Sequence, residues 1–183
     1  MIRRLCWLVL LCSQLFCVGA LAEVLRIVPG QAVVNVHTAA EVLEDAPGRL
    51  SLQDLLAGGA AEGFKPAHSA LSSFGFTRSA YWYRFTLDNP GTTPQRRLLV
   101  LRTPWLDTVH LYAADARGDF HERLMGDDFP FSAREHPTPA FVLDLDVPPG
   151  RHTHYLRVSS RQAFMTPIEL WQPEAFQVEE QRW

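Results

Sequence analysis

Trp82 and Arg84 stand two residues apart in the run YWYRFTLD at 81–88, so on an extended chain they share a side. The opposite side is Tyr81, Tyr83, Phe85 and Leu87, which is what a core requires. The outward side then sets an indole beside a guanidinium, with Thr86 and Asp88 following. That pairing has two physical uses. Aromatic faces take the apolar sides of sugar rings and similar ligands, while a guanidinium offers a fixed fork of donors to carboxylates, hydroxyls or phosphates. Arginine stacked on tryptophan is also a common way to cover a sheet face. Both uses stand at the level of pattern. The same texture recurs where His110 and Tyr112 oppose Val109 and Leu111, and where Tyr155 and Arg157 oppose Leu156 and Val158.

Other groupings carry weaker chemistry. His152 and His154 share one side of an extended run, as do Asp144 and Asp146; such pairs can ligate zinc or calcium. Without a third ligand at suitable spacing, a solvated strand face is the better account of each. Asp127-Asp128 reads as turn chemistry, and so does Arg117-Gly118-Asp119, although some adhesion receptors read that tripeptide. Arg134 is an isolated charge in a long connection, residues 130–139, where function often sits in sandwich folds, although from pattern alone a surface arginine with no role is the better account. No G-x-S-x-G, H-E-x-x-H or phosphate-cradling glycine loop occurs. No carboxylate pair can be assigned to opposite sides of a scissile bond, so hydrolase activity is not expected. Neither an enzyme nor a cofactor or metal site is expected.

The elements that must position these side chains are mostly short strands. Strand-like runs fall at 24–28, 31–36, 81–87, 97–102, 108–112, 119–124, 140–147, 152–159 and 167–171. Turn chemistry separates them at Asn89-Pro90-Gly91, Ala116-Arg117-Gly118, Gly126-Asp127-Asp128 and Pro148-Pro149-Gly150. Regular short strands of this kind predict an all-β antiparallel sandwich of the jelly-roll type. Thr38 to Glu41 and Ser51 to Asp54 each place a hydroxyl three residues ahead of a carboxylate, which predicts a short helical excursion near residues 38–58. A last helix is expected from Pro173 onward, over 173–182.

Residues 1–22 read as a secretory signal peptide: Arg3 and Arg4, then an apolar run, then Ala20-Leu21-Ala22 as a small-x-small cleavage site. Cys6, Cys12 and Cys17 all lie inside it, so the exported chain would hold together without disulfides and without thiol chemistry. Its remaining balance is 15 basic against 20 acidic residues, which argues against nucleic acid as a partner. Residues 23–172 then form one domain, and 173–183 begin a helix.

An ordered set of segments resembles the second type of extracellular sensor domain of bacterial seven-transmembrane receptors with diverse intracellular signalling modules, 7TMR-DISM. The segments are LEDAPGRLSLQDLL at 43–56, Gly75, YWYRFTLDN at 81–89, LDTVHLY at 106–112, Arg134, FVLDL at 141–145 and YLRVSS at 155–160. The resemblance implies a jelly roll similar to carbohydrate-binding modules, in the periplasm, ahead of membrane helices and an intracellular output module. It places Trp82, Arg84, Arg134 and Arg157 on recurrent positions and Tyr112 at the end of its match. These five are expected to surround one pocket for a small ligand, a carbohydrate or a carboxylated metabolite. The helix at Pro173 would approach the first membrane span, with Trp183 suited to its interface. This chain would be either a truncated receptor or a stand-alone relative. Two further functions fit the same face: a protein-interaction or homodimer module of the cell envelope, and a stand-alone carbohydrate-binding module.

Overall fold

The structure is a computed structural model that describes residues 23–67, 74–163 and 165–182. The expected signal peptide and Trp183 lie outside these residues. In chain order the strands are β1 (Val24–Arg26), β2 (Val33–Asn35), β3 (Glu41–Asp45), β4 (Lys65–Pro66), β5 (Ala80–Asn89), β6 (Gln95–Leu101), β7 (Thr108–Ala114), β8 (Phe120–Met125), β9 (Phe141–Val147), β10 (Gly150–Ser159) and β11 (Ile168–Trp171). Helix α1 (Leu52–Leu56) precedes β4, and α2 (Pro173–Glu180) follows β11.

Two antiparallel sheets pack as a sandwich. The larger runs β4-β3-β5-β10-β7-β8, with β1 added in parallel to the end of β5; the smaller runs β2-β11-β6-β9. Alternation dictates the core between them. Tyr83, Phe85 and Leu87 from β5 meet Leu99 and Leu101 from β6, Leu143 and Leu145 from β9, and Leu156 and Val158 from β10, all buried. Each fully buried large apolar side chain contributes roughly 1.5–3 kcal/mol of transfer free energy.

Each sheet also carries a second, outer apolar layer. On the smaller sheet Leu98, Val100, Ala140 and Val142 are covered by Phe176 of α2, with Trp171 at the side. On the larger sheet Trp82 and Tyr155 are covered by Leu55 and Phe64, with Leu43, Leu50 and Leu52 around them. The helical excursion and the last helix therefore act as lids on opposite faces of the sandwich.

The first half of the expected excursion is a strand, not a helix. Thr38 ends a short 3-10 turn, and its hydroxyl donates back to the Asn35 carbonyl, 2.9 Å away. Glu41 begins β3 instead, and pairing opposite Arg84 outweighs its local helix signal. The second capping box forms as expected. The Ser51 hydroxyl accepts from the Asp54 amide, and the Asp54 carboxylate accepts from the Ser51 amide at 2.8 Å. Ser51→Ala is expected to lower stability by about 1 kcal/mol in urea denaturation, with the slope of the transition unchanged. At the end of β8, Gly126 has φ +154°, and a Cβ there would run into the Asp107 carbonyl. That turn admits only glycine.

Candidate functional site

Cross-strand register explains how the outer face of the larger sheet is built. Arg157 lies opposite Trp82 on one side and His110 on the other; Tyr155 lies opposite Arg84 and Tyr112 in the same way. Glu41 and Leu43 extend the two rows through their partners Arg84 and Trp82. Four of the five expected residues therefore share one face because three neighbouring strands present them in phase. The rings of Trp82 and Tyr112 stack at 5.5 Å between centroids, and those of Tyr112 and His110 at 6.2 Å. The Arg157 guanidinium sits 5.9 Å from the Trp82 ring.

Access differs sharply among them. Trp82 is fully buried, at 0 % exposure, beneath the lid of Leu50, Leu52, Leu55 and Phe64. The expectation of an indole facing an open hollow is corrected: the ring is the floor of a covered layer. Its Nε1 is sealed without an acceptor among the described residues. Arg84 is also internally committed, through an ion pair with Glu41 at 2.7 Å and a stack on Phe64 at 4.4 Å. Arg157 is half-buried, and its hydrogen bond runs from Nη2 to the Gly48 carbonyl at 3.1 Å. Tyr112 is half-buried too. Burial pushes its hydroxyl up to about 12, aided by Glu122. His110 lies 2.7 Å from Glu122 and holds that carboxyl below its usual range.

Arg134 belongs elsewhere. Its Nη1 donates to the carbonyls of Thr138, at 2.8 Å, and Pro139, and its guanidinium stacks on Phe131 and, at 4.4 Å, on Phe141. It thus closes the loop that enters β9 of the smaller sheet, and a single pocket holding all five residues is not what the structure contains. Fixing loop geometry accounts for every contact it makes.

The weaker candidates resolve on geometry. His154 points inward against Phe85 and accepts the Ala114 amide on Nδ1 at 3.1 Å, while His152 contacts the Pro149 carbonyl. Asp144 is engaged by Arg96 at 2.6 Å and by His136 at 3.1 Å. Among the described residues no group of three metal-ligating side chains is gathered. In the Arg117-Gly118-Asp119 hairpin, the Asp115 carboxylate accepts the amides of Arg117 and Asp119, as turn chemistry requires.

Two features of the face escape a strand-by-strand reading. Asp45 is buried, and its carboxylate accepts the amides of Arg49 and Leu50, at 3.2 and 2.9 Å. This turn, with Gly48 at φ +64°, presents the Gly48 carbonyl to Arg157. The Asp-x-Pro-Gly spacing at 45–48 was the available signal for a turn, though not for what it would touch. Arg97 is the second. It occupies an inward position of β6, in phase with Leu99 and Leu101, where a charge is out of place.

Comparison with known proteins adds a family. The family model described as 7TMR-DISM extracellular 2 matches residues 37–172. No curated protein matches the chain. Among solved structures, the K1 cleaved adhesin domain of Lys-gingipain (Kgp) from Porphyromonas gingivalis W83 aligns over 76 % of this chain and 86 % of that one, at 14 % identity and a TM-score of 0.28. A likeness that faint carries no argument.

Proposed function

The chain belongs to the 7TMR-DISM extracellular 2 family of receptor sensor domains, and from that premise we propose that it senses a small polar ligand on the outer face of its larger sheet. The ligand class is a carbohydrate or a carboxylated metabolite, and the domain acts outside the cytoplasm, in the periplasm, ahead of a membrane and output module. No helix among the described residues is long and apolar enough to cross a membrane.

One observation carries the reading. Arg157 lies over the Trp82 ring, half-exposed, with a backbone carbonyl as its hydrogen-bond acceptor and no carboxylate in an ion pair with it among the described residues. A guanidinium carries five donors, and among the described residues only one hydrogen bond, to the Gly48 carbonyl, uses them at this half-buried side chain. Trp82 supports these groups from beneath and does not itself meet the ligand. Signalling then follows from differential affinity: a ligand that prefers one arrangement of the lid at 43–64 biases the domain toward it.

The test is a thermal-shift series with sugars and organic acids, on wild type and Arg157→Ala. A ligand of this face is expected to stabilise the wild type and to bind the variant about tenfold more weakly, the loss of one charge-assisted hydrogen bond. Equal shifts in both proteins, or none in either, would sink the assignment.

A further inference from the structure

A second place in the fold holds a charge with no ion-pair partner among the described residues. Arg97 is 4 % exposed. Its Nη2 donates to the Val28 carbonyl at 3.3 Å and the Gln95 side-chain oxygen at 3.0 Å. Among the described residues its sealed Nε has no acceptor and its Nη1 makes no hydrogen bond. Among the described residues no carboxylate forms an ion pair with it. Burial pulls its pKa down, with Glu174 acting from a distance in the other direction. Buried charges in proteins are ordinarily paired in contact, and among the described residues this guanidinium has only the distant Glu174 as a counter-charge.

Beside it opens a hollow of about 580 Å³, lined by Gly91, Thr93, Gln95, Arg97, Gln172 and Glu174 among others. That volume is in the range of small-molecule sites. One wall is the first turn of α2. Gln172 makes no side-chain cap, Pro173 has no N–H, and the first intrahelical bond runs from the Phe176 amide to the Gln172 carbonyl. The Glu174 amide is thus one of the uncapped donors at the positive end of a helix dipole. An unpaired buried guanidinium and an uncapped helix start on one hollow are both complementary to an anion. Glu174 itself is exposed, so water screens its side chain more than the buried arginine. Its charge still disfavours a dianion. Arg96, also on the rim, is already paired with Asp144.

We propose that this hollow binds a small carboxylate, which accepts from Arg97 Nη1 and the Glu174 amide and ties the first turn of α2 to β6. The far side of α2 is anchored through Phe176 among Leu98, Val100, Ala140 and Val142. Occupancy therefore fixes how the helix leaves the smaller sheet. The site shares no residue with the outer face of the larger sheet, and either assignment can fail alone.

Titration of the ¹⁵N-labelled protein with acetate, succinate or inorganic phosphate, at constant ionic strength against chloride, tests it. Saturable shifts of the Gly91 and Glu174 amides with a carboxylate are expected. Arg97→Gln is expected to weaken binding about tenfold or more, Glu174→Gln to tighten it about threefold, and Arg157→Ala to leave it unchanged. If Arg97→Gln fails to fold, the Glu174→Gln result decides. Carboxylates behaving as chloride does, shifts confined to other residues, preference for phosphate, or indifference to Glu174→Gln would each overturn the proposal.

Discussion

Trp82→Ala is expected to lower the free energy of unfolding by about 3–5 kcal/mol, while Trp82→Phe costs only about 1 kcal/mol. The asymmetry follows from what the indole does. At 0 % exposure it is the centre of the layer between the larger sheet and its lid, touching Leu55, Phe64 and Tyr155. Alanine leaves a cavity that β5 and β10, paired over ten residues, cannot collapse to fill. Phenylalanine keeps most of the ring contact. It also removes an N–H that is buried with no acceptor, which offsets part of the lost packing. Urea denaturation of both variants separates the accounts: an alanine variant as stable as wild type would mean that the ring is not a packing element.

This prediction reverses the role that the alternation alone leaves open for Trp82, and the reason is physical. Period two tells which side of a strand a residue occupies. It is silent on what lies opposite that side. The inward sets on β5, β7, β9, β10 and β11 were legible for that reason, and so was the sandwich. The outward aromatic residues were legible as a set too, but their lid comes from residues 43–64, far away in sequence. β3 was hidden because Thr38 and Glu41 carry a helix signal that the ladder with β5 overrides. β4, two residues long, offers no period to read.

Lid and floor together also explain why scattered fragments carry the family resemblance. The segment at 43–56 folds over the strand at 81–89, and the strand at 155–160 supplies the arginine that the Gly48 turn receives. These fragments are common residues taken singly, yet they form one contiguous structure. Arg134 is the exception, because it completes a loop on the other sheet. Its contacts need no ligand. Nor was Arg97 found from turn or motif chemistry, since its signal is a charge at an inward position of an otherwise apolar strand.

Acid is expected to destabilise this domain as pH falls below about 6.5, because His154 titrates inside the core. It is fully buried against Phe85, and burial lowers its pKa from 6.5 to about 4, with His152 adding to the effect. Above pH 6.5 the ring is neutral in both folded and unfolded chains and contributes nothing to the pH dependence. As pH falls from 6.5 toward 4, the unfolded chain takes up a proton that the folded one refuses, so stability is lost across that window. The loss is about 2 kcal/mol by pH 5 and about 3 kcal/mol below pH 4. His37, buried against Tyr83 with its Nε2 at the Thr166 carbonyl, has its pKa lowered mainly by burial and acts with the same sign. The carboxyls of Glu122 and Asp115 are held below their usual values, first by the hydrogen bonds from their histidine partners, and their protonation in stronger acid deepens the loss. Urea midpoints at pH 7, 6 and 5 span this window, and a His154 variant isolates its share. His154→Gln, which keeps an acceptor within the core but carries no titrating ring, is expected to flatten most of that slope even if it is less stable at pH 7. A wild-type profile already flat between pH 7 and 5 would mean that water reaches both imidazoles, and that the end of the core beside β7 is not packed as described.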